Sequence, residues 1–150
     1  MESRVYKINE LLVEIFNDVL TIEQNSLQSG FFQDLSITEM HTIEAIGMYE
    51  SRSMTEVASQ LKITVGTLTT AINRLVKKGY VERHRIEEDR RVVQIALTKR
   101  GKLAYRVHNK FHSDMVRDLI TTLSEEEEVL LLSALGKLNV HLKNVYSKNQ

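Results

Sequence analysis

A chain of 150 residues, 42% of them hydrophobic, is long enough to bury one core, and the absence of cysteine excludes disulfides, thiolate metal sites and cysteine redox sensing. The first ten residues lack the unbroken apolar core of a signal peptide and no stretch approaches a membrane span, so a cytoplasmic protein with no membrane partner is expected. Acidic and basic residues balance at 20 each, yet positions 62–106 hold 12 Lys and Arg against 4 Asp and Glu while the remainder holds 8 against 16. Such a segment is the electrostatic footprint of phosphate binding or a solvated charged face, and the motifs inside it favour the first.

Taken in order, Ile8, Leu11, Leu12, Ile15, Phe16, Val19 and Ile22 form the apolar face of a helix that reaches about Gln24. Gly30 and the segment Phe31 to Leu35 interrupt it. Ser36-Ile37-Thr38-Glu39 is a capping box and predicts a second helix ending near Tyr49. Ser53-Met54-Thr55-Glu56 repeats the device and predicts a third through Leu61, with Val57, Ala58 and Leu61 on one face. Only Lys62 and Ile63 separate it from Thr64, which caps a fourth helix whose inner face is Leu68, Ile72 and Leu75. Lys77, Lys78 and Gly79 suit its carboxyl end.

Two short helices so tightly joined form a helix-turn-helix. Tyr80 to Arg85 then alternates as a strand, Ile86 to Arg91 is charged, and Val92 to Leu97 is β-rich again: a hairpin, or wing, with a charged tip. Thr98 caps a long helix through about Ile120, with Leu103, Val107, Phe111, Met115 and Leu119 every four residues. Ser124-Glu125-Glu126-Glu127 opens a last one carrying Leu131, Leu135, Leu138, Leu142 and Val145. The chain contains no proline, so no helix loses a donor. The fold class is mainly α with a small β-hairpin wing, a winged helix-turn-helix. The stripes of the fifth and last helices cannot be buried by so small a core alone, so they pair with a second subunit or close an intramolecular bundle; the first helix too needs partners.

On the fourth helix Thr67, Thr69, Thr70 and Asn73 are the candidates for reading bases, since Asn pairs adenine and Thr methyls meet thymine methyls. Gly66 lets the start of the helix approach a nucleic-acid backbone, and Thr64, Arg74 and Lys77 suit phosphate, which fixes register. The alternative for the threonines is an ordinary helix surface. Arg90 and Arg91 stand at the tip of the wing, the part of a winged helix that reaches the adjacent backbone or minor groove; the alternative is a polar hairpin turn. His108 and His112 lie four apart and His41 lies near Glu39 and Glu44, a pattern that can hold zinc. With no cysteine and no third ligand fixed by sequence, surface histidines are the commoner outcome, and neither a metal nor another cofactor is expected. No glycine-rich phosphate loop and no nucleophile with a flanking motif is present, so the chain is not expected to be an enzyme.

Leu61-Lys62-Ile63-Thr64, Leu75 to Arg83, Asp89-Arg90-Arg91 and Leu97-Thr98-Lys99-Arg100-Gly101 resemble, in order and spacing, the multiple-antibiotic-resistance regulator (MarR) family, and the flanking helices extend the resemblance over nearly the whole chain. Phe16 to Leu20, Ile37 to Ile43 and Thr64 to Thr70 resemble its fatty-acid-synthesis repressor (FabT) branch. The resemblance implies one domain: a winged DNA-binding core at about 36–98 and dimerisation helices at about 4–29 and 99–146. It implies a homodimer on a pseudo-palindromic double-stranded operator, with Asp89 bracing the wing through an ion pair and Arg91 reaching the minor groove. It further implies repression of fatty acid biosynthesis genes with long-chain acyl-acyl carrier protein as co-repressor; the alternative is a regulator of the same fold responsive to zinc or a small phenol. A helical interaction module or a hydrolase would leave the basic segment unexplained.

An acyl chain would enter where the first, second and fifth helices meet, among Phe16, Val19, Met40, Ile43, Ile46, Val107, Phe111 and Met115, with Arg4, Arg106 or Lys110 meeting the acidic carrier. The alternative is a tightly packed junction.

Overall fold

The computed structural model describes residues 2–146 of the chain. They form helices α1 (Glu2–Ser29), α2 (Ile37–Ile46), α3 (Met54–Leu61), α4 (Val65–Lys77), α5 (Lys99–Ile120) and α6 (Glu125–Tyr146), with strands β1 (Arg52–Ser53), β2 (Val81–Arg85) and β3 (Val93–Leu97). The chain divides into two compact units, residues 1–109 and residues 110–150.

All three capping boxes form. Ser36 and Glu39 close reciprocal bonds at the start of α2, Ser53 and Glu56 do so at α3, and Ser124 and Glu127 at α6. Each satisfies two amide donors that a helix start leaves orphaned. Thr98 starts α5 with its hydroxyl, which accepts from the Gly101 amide at 3.1 Å and donates to the Gly79 carbonyl at 2.6 Å.

Three boundaries depart from the sequence reading. Helix α1 runs past the end of the apolar pattern at Gln24 to Ser29, the limit that the resemblance implies, because nothing between Gln24 and Gly30 breaks it and Leu27 on its last turn is buried. Helix α2 stops at Ile46, where Gly47 takes a positive φ of 67° and turns the chain before Tyr49. The two-residue strand β1, too short to carry an alternating pattern, adds a third strand. It pairs Arg52 with Ile95, giving the antiparallel order β1-β3-β2.

The core of the first unit joins the predicted inner faces of α3 and α4 to residues of α2 and β3. Leu68, Ile72 and Leu75 of α4, Val57 of α3, Met40, Ile43 and Ile46 of α2, and Ile95 and Leu97 of β3 are fully or almost fully buried. Each such side chain stabilises the fold by about 1.5–3 kcal/mol relative to exposure. Tyr80, also fully buried, donates its hydroxyl to Asp34 at 2.6 Å and packs edge-on against Phe32. Burial, reinforced by the Asp34 carboxylate, pushes the Tyr80 phenol up to about 12.

Lys78, the C-cap of α4, meets both carboxylate oxygens of Glu39 at 2.8 and 2.9 Å and also bonds the Asp34 carbonyl. That contact ties the end of α4 to the start of α2. Residues 110–146 comprise the end of α5, a turn and α6. Leu130, Leu132, Leu135 and Leu138 on α6 are exposed in the single chain.

Candidate nucleic-acid interface

Helices α3 and α4 form the helix-turn-helix. Lys62 makes the turn by taking the left-handed conformation, φ 56° and ψ 42°, and its amide donates to the carbonyls of Ala58 and Ser59. Thr64 then caps α4, its hydroxyl accepting from the Thr67 amide at 3.1 Å and lying 2.9 Å from the Thr67 hydroxyl. With Leu68, Ile72 and Leu75 turned inward, the outer face of α4 presents Thr64, Gly66, Thr67, Thr69, Thr70, Asn73, Arg74 and Lys77, all exposed.

The threonine hydroxyls are partly spoken for. Thr69 bonds back to the Val65 carbonyl at 2.8 Å and Thr70 to the Gly66 carbonyl at 3.4 Å. A hydroxyl so engaged leaves the γ-methyl to meet a partner, which suits apolar contact with thymine better than polar readout. Asn73 accepts, through Oδ1, a hydrogen bond from the Arg83 guanidinium on β2. Sequence reasoning missed Arg83: helix and strand residues ten apart carry no periodic signal of contact, although Arg83 lies within the motif that resembles the family.

Strands β2 and β3 pair from Val81 opposite Leu97 to Arg85 opposite Val93, and the wing turn beyond them exposes Asp89, Arg90 and Arg91. The Asp89 carboxylate accepts the Arg91 backbone amide at 3.0 Å, and the Asp89 carbonyl accepts the Val92 amide. Asp89 therefore braces the tip through the backbone, and the expected ion pair is absent among the described residues. That arrangement leaves the Arg91 guanidinium outside the brace. The wing and α4 both belong to the basic segment, so exposed cationic side chains flank the helix face that carries Asn73.

The base of the wing is fixed to α5. Arg100 lies 4.4 Å over the Tyr80 ring, donates to the Lys78 carbonyl at 3.2 Å and pairs with Asp34 at 3.3 Å. These contacts, like Lys78 with Glu39, link segments far apart in sequence, and no local motif announces them.

The residues expected to take an acyl chain are distributed differently. Met40, Ile43 and Ile46 lie inside the core; Val19 is half-buried; Phe16 and Val107 are exposed; Phe111 and Met115 are half-buried in the second unit. Of the residues considered for the carrier, Arg4, Arg106 and Lys110 are exposed.

The MarR family profile matches residues 35–93, which contain the helix-turn-helix and almost all of the wing. The chain is 36% identical over 104 residues to the transcriptional regulator PecS of Dickeya dadantii, a match covering 69% of this chain and 62% of PecS. It is 34% identical over 116 residues to SarZ of Staphylococcus haemolyticus, covering 77% and 73%. Among solved structures, FabT of Streptococcus pneumoniae in complex with DNA superposes with a TM-score of 0.90 at 45% identity, covering 94% of this chain and 99% of that one. The MepR–DNA complex of S. aureus, 21% identical over 89% of this chain and 97% of that one, shares the fold with a TM-score of 0.74. A helix-turn-helix with an exposed polar face, a braced wing with two arginines at its tip and these relatives lead to one conclusion: the chain belongs to the MarR family of winged helix-turn-helix transcriptional regulators, which are not enzymes.

Proposed function

We propose that this protein is a homodimeric repressor of fatty acid biosynthesis genes that acts in the cytoplasm on a pseudo-palindromic operator, with long-chain acyl-acyl carrier protein as co-repressor. The observation that carries the reading is the 45% identity with FabT in complex with DNA over nearly the whole of both chains, against 21% for MepR. In this reading α4 enters the major groove, Asn73 and the methyls of Thr67, Thr69 and Thr70 meet base edges, and Gly66 allows close approach. Thr64, Arg74 and Lys77 hold phosphates, and Arg90 and Arg91 of the Asp89-braced wing reach the adjacent minor groove.

A dimer is supported by the apolar residues left exposed on α1 and α6, including Val5, Ile8, Phe16, Leu135 and Leu142. The winged core occupies residues 36–98 and the flanking helices pair the subunits. Two α4 helices on one face of a duplex then lie about 34–36 Å apart, one helical turn. The acyl chain is assigned to the first-unit residues Phe16, Val19, Met40, Ile43, Ile46 and Val107, and it acts as co-repressor by favouring the lobe spacing that fits the operator, since a ligand indifferent to spacing shifts nothing.

The test begins with operator sequences selected from a random DNA pool. Binding to the selected site is then measured with long-chain acyl carrier protein, with unacylated carrier and with neither. Tighter binding with the acylated carrier alone is expected, and equal affinity in all three ends the fatty-acid reading. In the same assay Asn73→Ala should relax preference at one base position per half-site, costing about 1–3 kcal/mol on the best site. Equal loss on random DNA would remove Asn73 from base reading.

A further inference from the structure

Asn73 does not stand alone on the outer face of α4. The guanidinium of Arg83, on β2 of the wing, donates from Nη2 to Asn73 Oδ1. Both side chains are exposed. A guanidinium carries five donors and no acceptor, so the amide atom that faces it is the oxygen. The nitrogen, with its two hydrogens, is therefore the end of the Asn73 amide turned away from Arg83. About one turn earlier, Thr69 and Thr70 spend their hydroxyl protons on the carbonyls of Val65 and Gly66. Around Asn73 the face of α4 thus offers donors and methyl groups, while the amide oxygen is engaged.

We infer that Arg83 is a positioning residue that sets which base Asn73 reads: a guanine, and not the adenine that an unrestrained asparagine favours. The inference rests on the reading that α4 enters the major groove and adds the identity of one base. An asparagine pairs adenine by accepting from N6 while it donates to N7, which requires its oxygen toward the base. Oδ1 keeps a second lone pair, but a donor approaching it would face the positive charge of the guanidinium. The amino group of adenine meets that conflict, and so does the N4 amino group of cytosine. Guanine presents two acceptors, N7 and O6, and no donor in the major groove, which complements an amide nitrogen beside a guanidinium. Thymine accepts at one atom, O4, where guanine accepts at two.

The test reads base preference as well as affinity, with purified full-length protein and no effector. Operators are selected from a random DNA pool with the wild type and with Asn73→Ala, which marks the position that Asn73 reads; binding is then measured with each base pair placed there. The wild type should prefer guanine over adenine by at least about fivefold, and 7-deazaguanine, which lacks the N7 acceptor, should weaken binding by about threefold or more. These two measurements need no variant. Arg83→Ala frees the amide to turn, and the preference should move from guanine to adenine at that position alone. Arg83→Lys keeps a cationic donor and should retain guanine. Asn73→Asp keeps the contact with Arg83 but removes the amide hydrogens, and should lose the preference for guanine. His84→Gln, in the exposed pair with Glu82, should leave the preference unchanged. Adenine preferred by the wild type, or guanine still preferred by Arg83→Ala, would overturn the inference while leaving base reading by α4 in place. So would uniform weakening of every sequence by Arg83→Ala with a flatter salt dependence, the mark of an arginine that holds only phosphate. Selection with no position that depends on Asn73 would overturn both readings.

Discussion

Gly101 shows how much one missing side chain can decide. A Cβ at this position would lie 2.1 Å from the Tyr80 carbonyl oxygen and 3.2 Å from Leu97 Cβ, so the first turn of α5 packs against the base of the wing only because the residue is glycine. The obstructing atom is backbone and cannot rotate away. Gly101→Ala should therefore destabilise the protein by about 1–3 kcal/mol, the usual cost of overpacking, in thermal or urea unfolding. An unchanged midpoint would show that α5 can slide off the wing without cost. Asn73 illustrates the same dependence on context: its residue type and helical position were readable in sequence, whereas its bond to Arg83 required the strand to fold back onto the helix.

Between elements, the contact of Glu39 with Lys78 joins the start of α2 to the end of the candidate recognition helix. Burial of Glu39 opposes ionisation, but the Lys78 ammonium and the Ser36 amide and hydroxyl outweigh it and hold the carboxyl below its usual range. A carboxyl whose folded pKa is depressed contributes stability that is present above its unfolded value and lost as pH falls through the folded one. Between about pH 5 and pH 3 the melting temperature of the wild type should consequently fall more steeply than that of Glu39→Gln, which keeps an acceptor for the Ser36 amide but cannot titrate. Parallel curves would assign the acid sensitivity elsewhere. The capping half of this arrangement was legible, since Ser36 and Glu39 are three residues apart; the Lys78 half was not.

For the whole molecule, the exposed apolar faces of α1 and α6 are the feature a single chain leaves unresolved. Leu135 and Leu138 are 51% and 50% exposed, with Leu142 and Val145 continuing along α6. A row of exposed apolar residues along one helix marks an interaction site, and in the proposed dimer a second copy covers it. Sedimentation at micromolar concentration should give a dimer, and the double substitution Leu135→Glu with Leu138→Glu should dissociate it and weaken operator binding at least about tenfold, because half-sites would then be bound singly. A wild-type monomer would refute the dimer, and a variant that stays dimeric would move the interface off α6.

Helix starts, the tight turn between α3 and α4, the hairpin and the inward faces of α4 were determined by the sequence alone, because the interactions responsible span three or four residues or repeat at a fixed period. The same holds for the outward face of α4, which follows from Leu68, Ile72 and Leu75 being buried. Tertiary structure decided the rest. The extension of α1 to Ser29 and the two-residue β1 depend on burial and pairing with distant segments. The convergence of Glu23, His41 and His108 on one point, and of Lys78, Tyr80 and Arg100 around Asp34 and Glu39, is set by how helices pack. Sequence spacing suggested His108 with His112 and put His41 beside Glu39 and Glu44, since helical periodicity registers only neighbours on one helix; the Glu23 carboxylate comes from another helix, and packing alone brings it there.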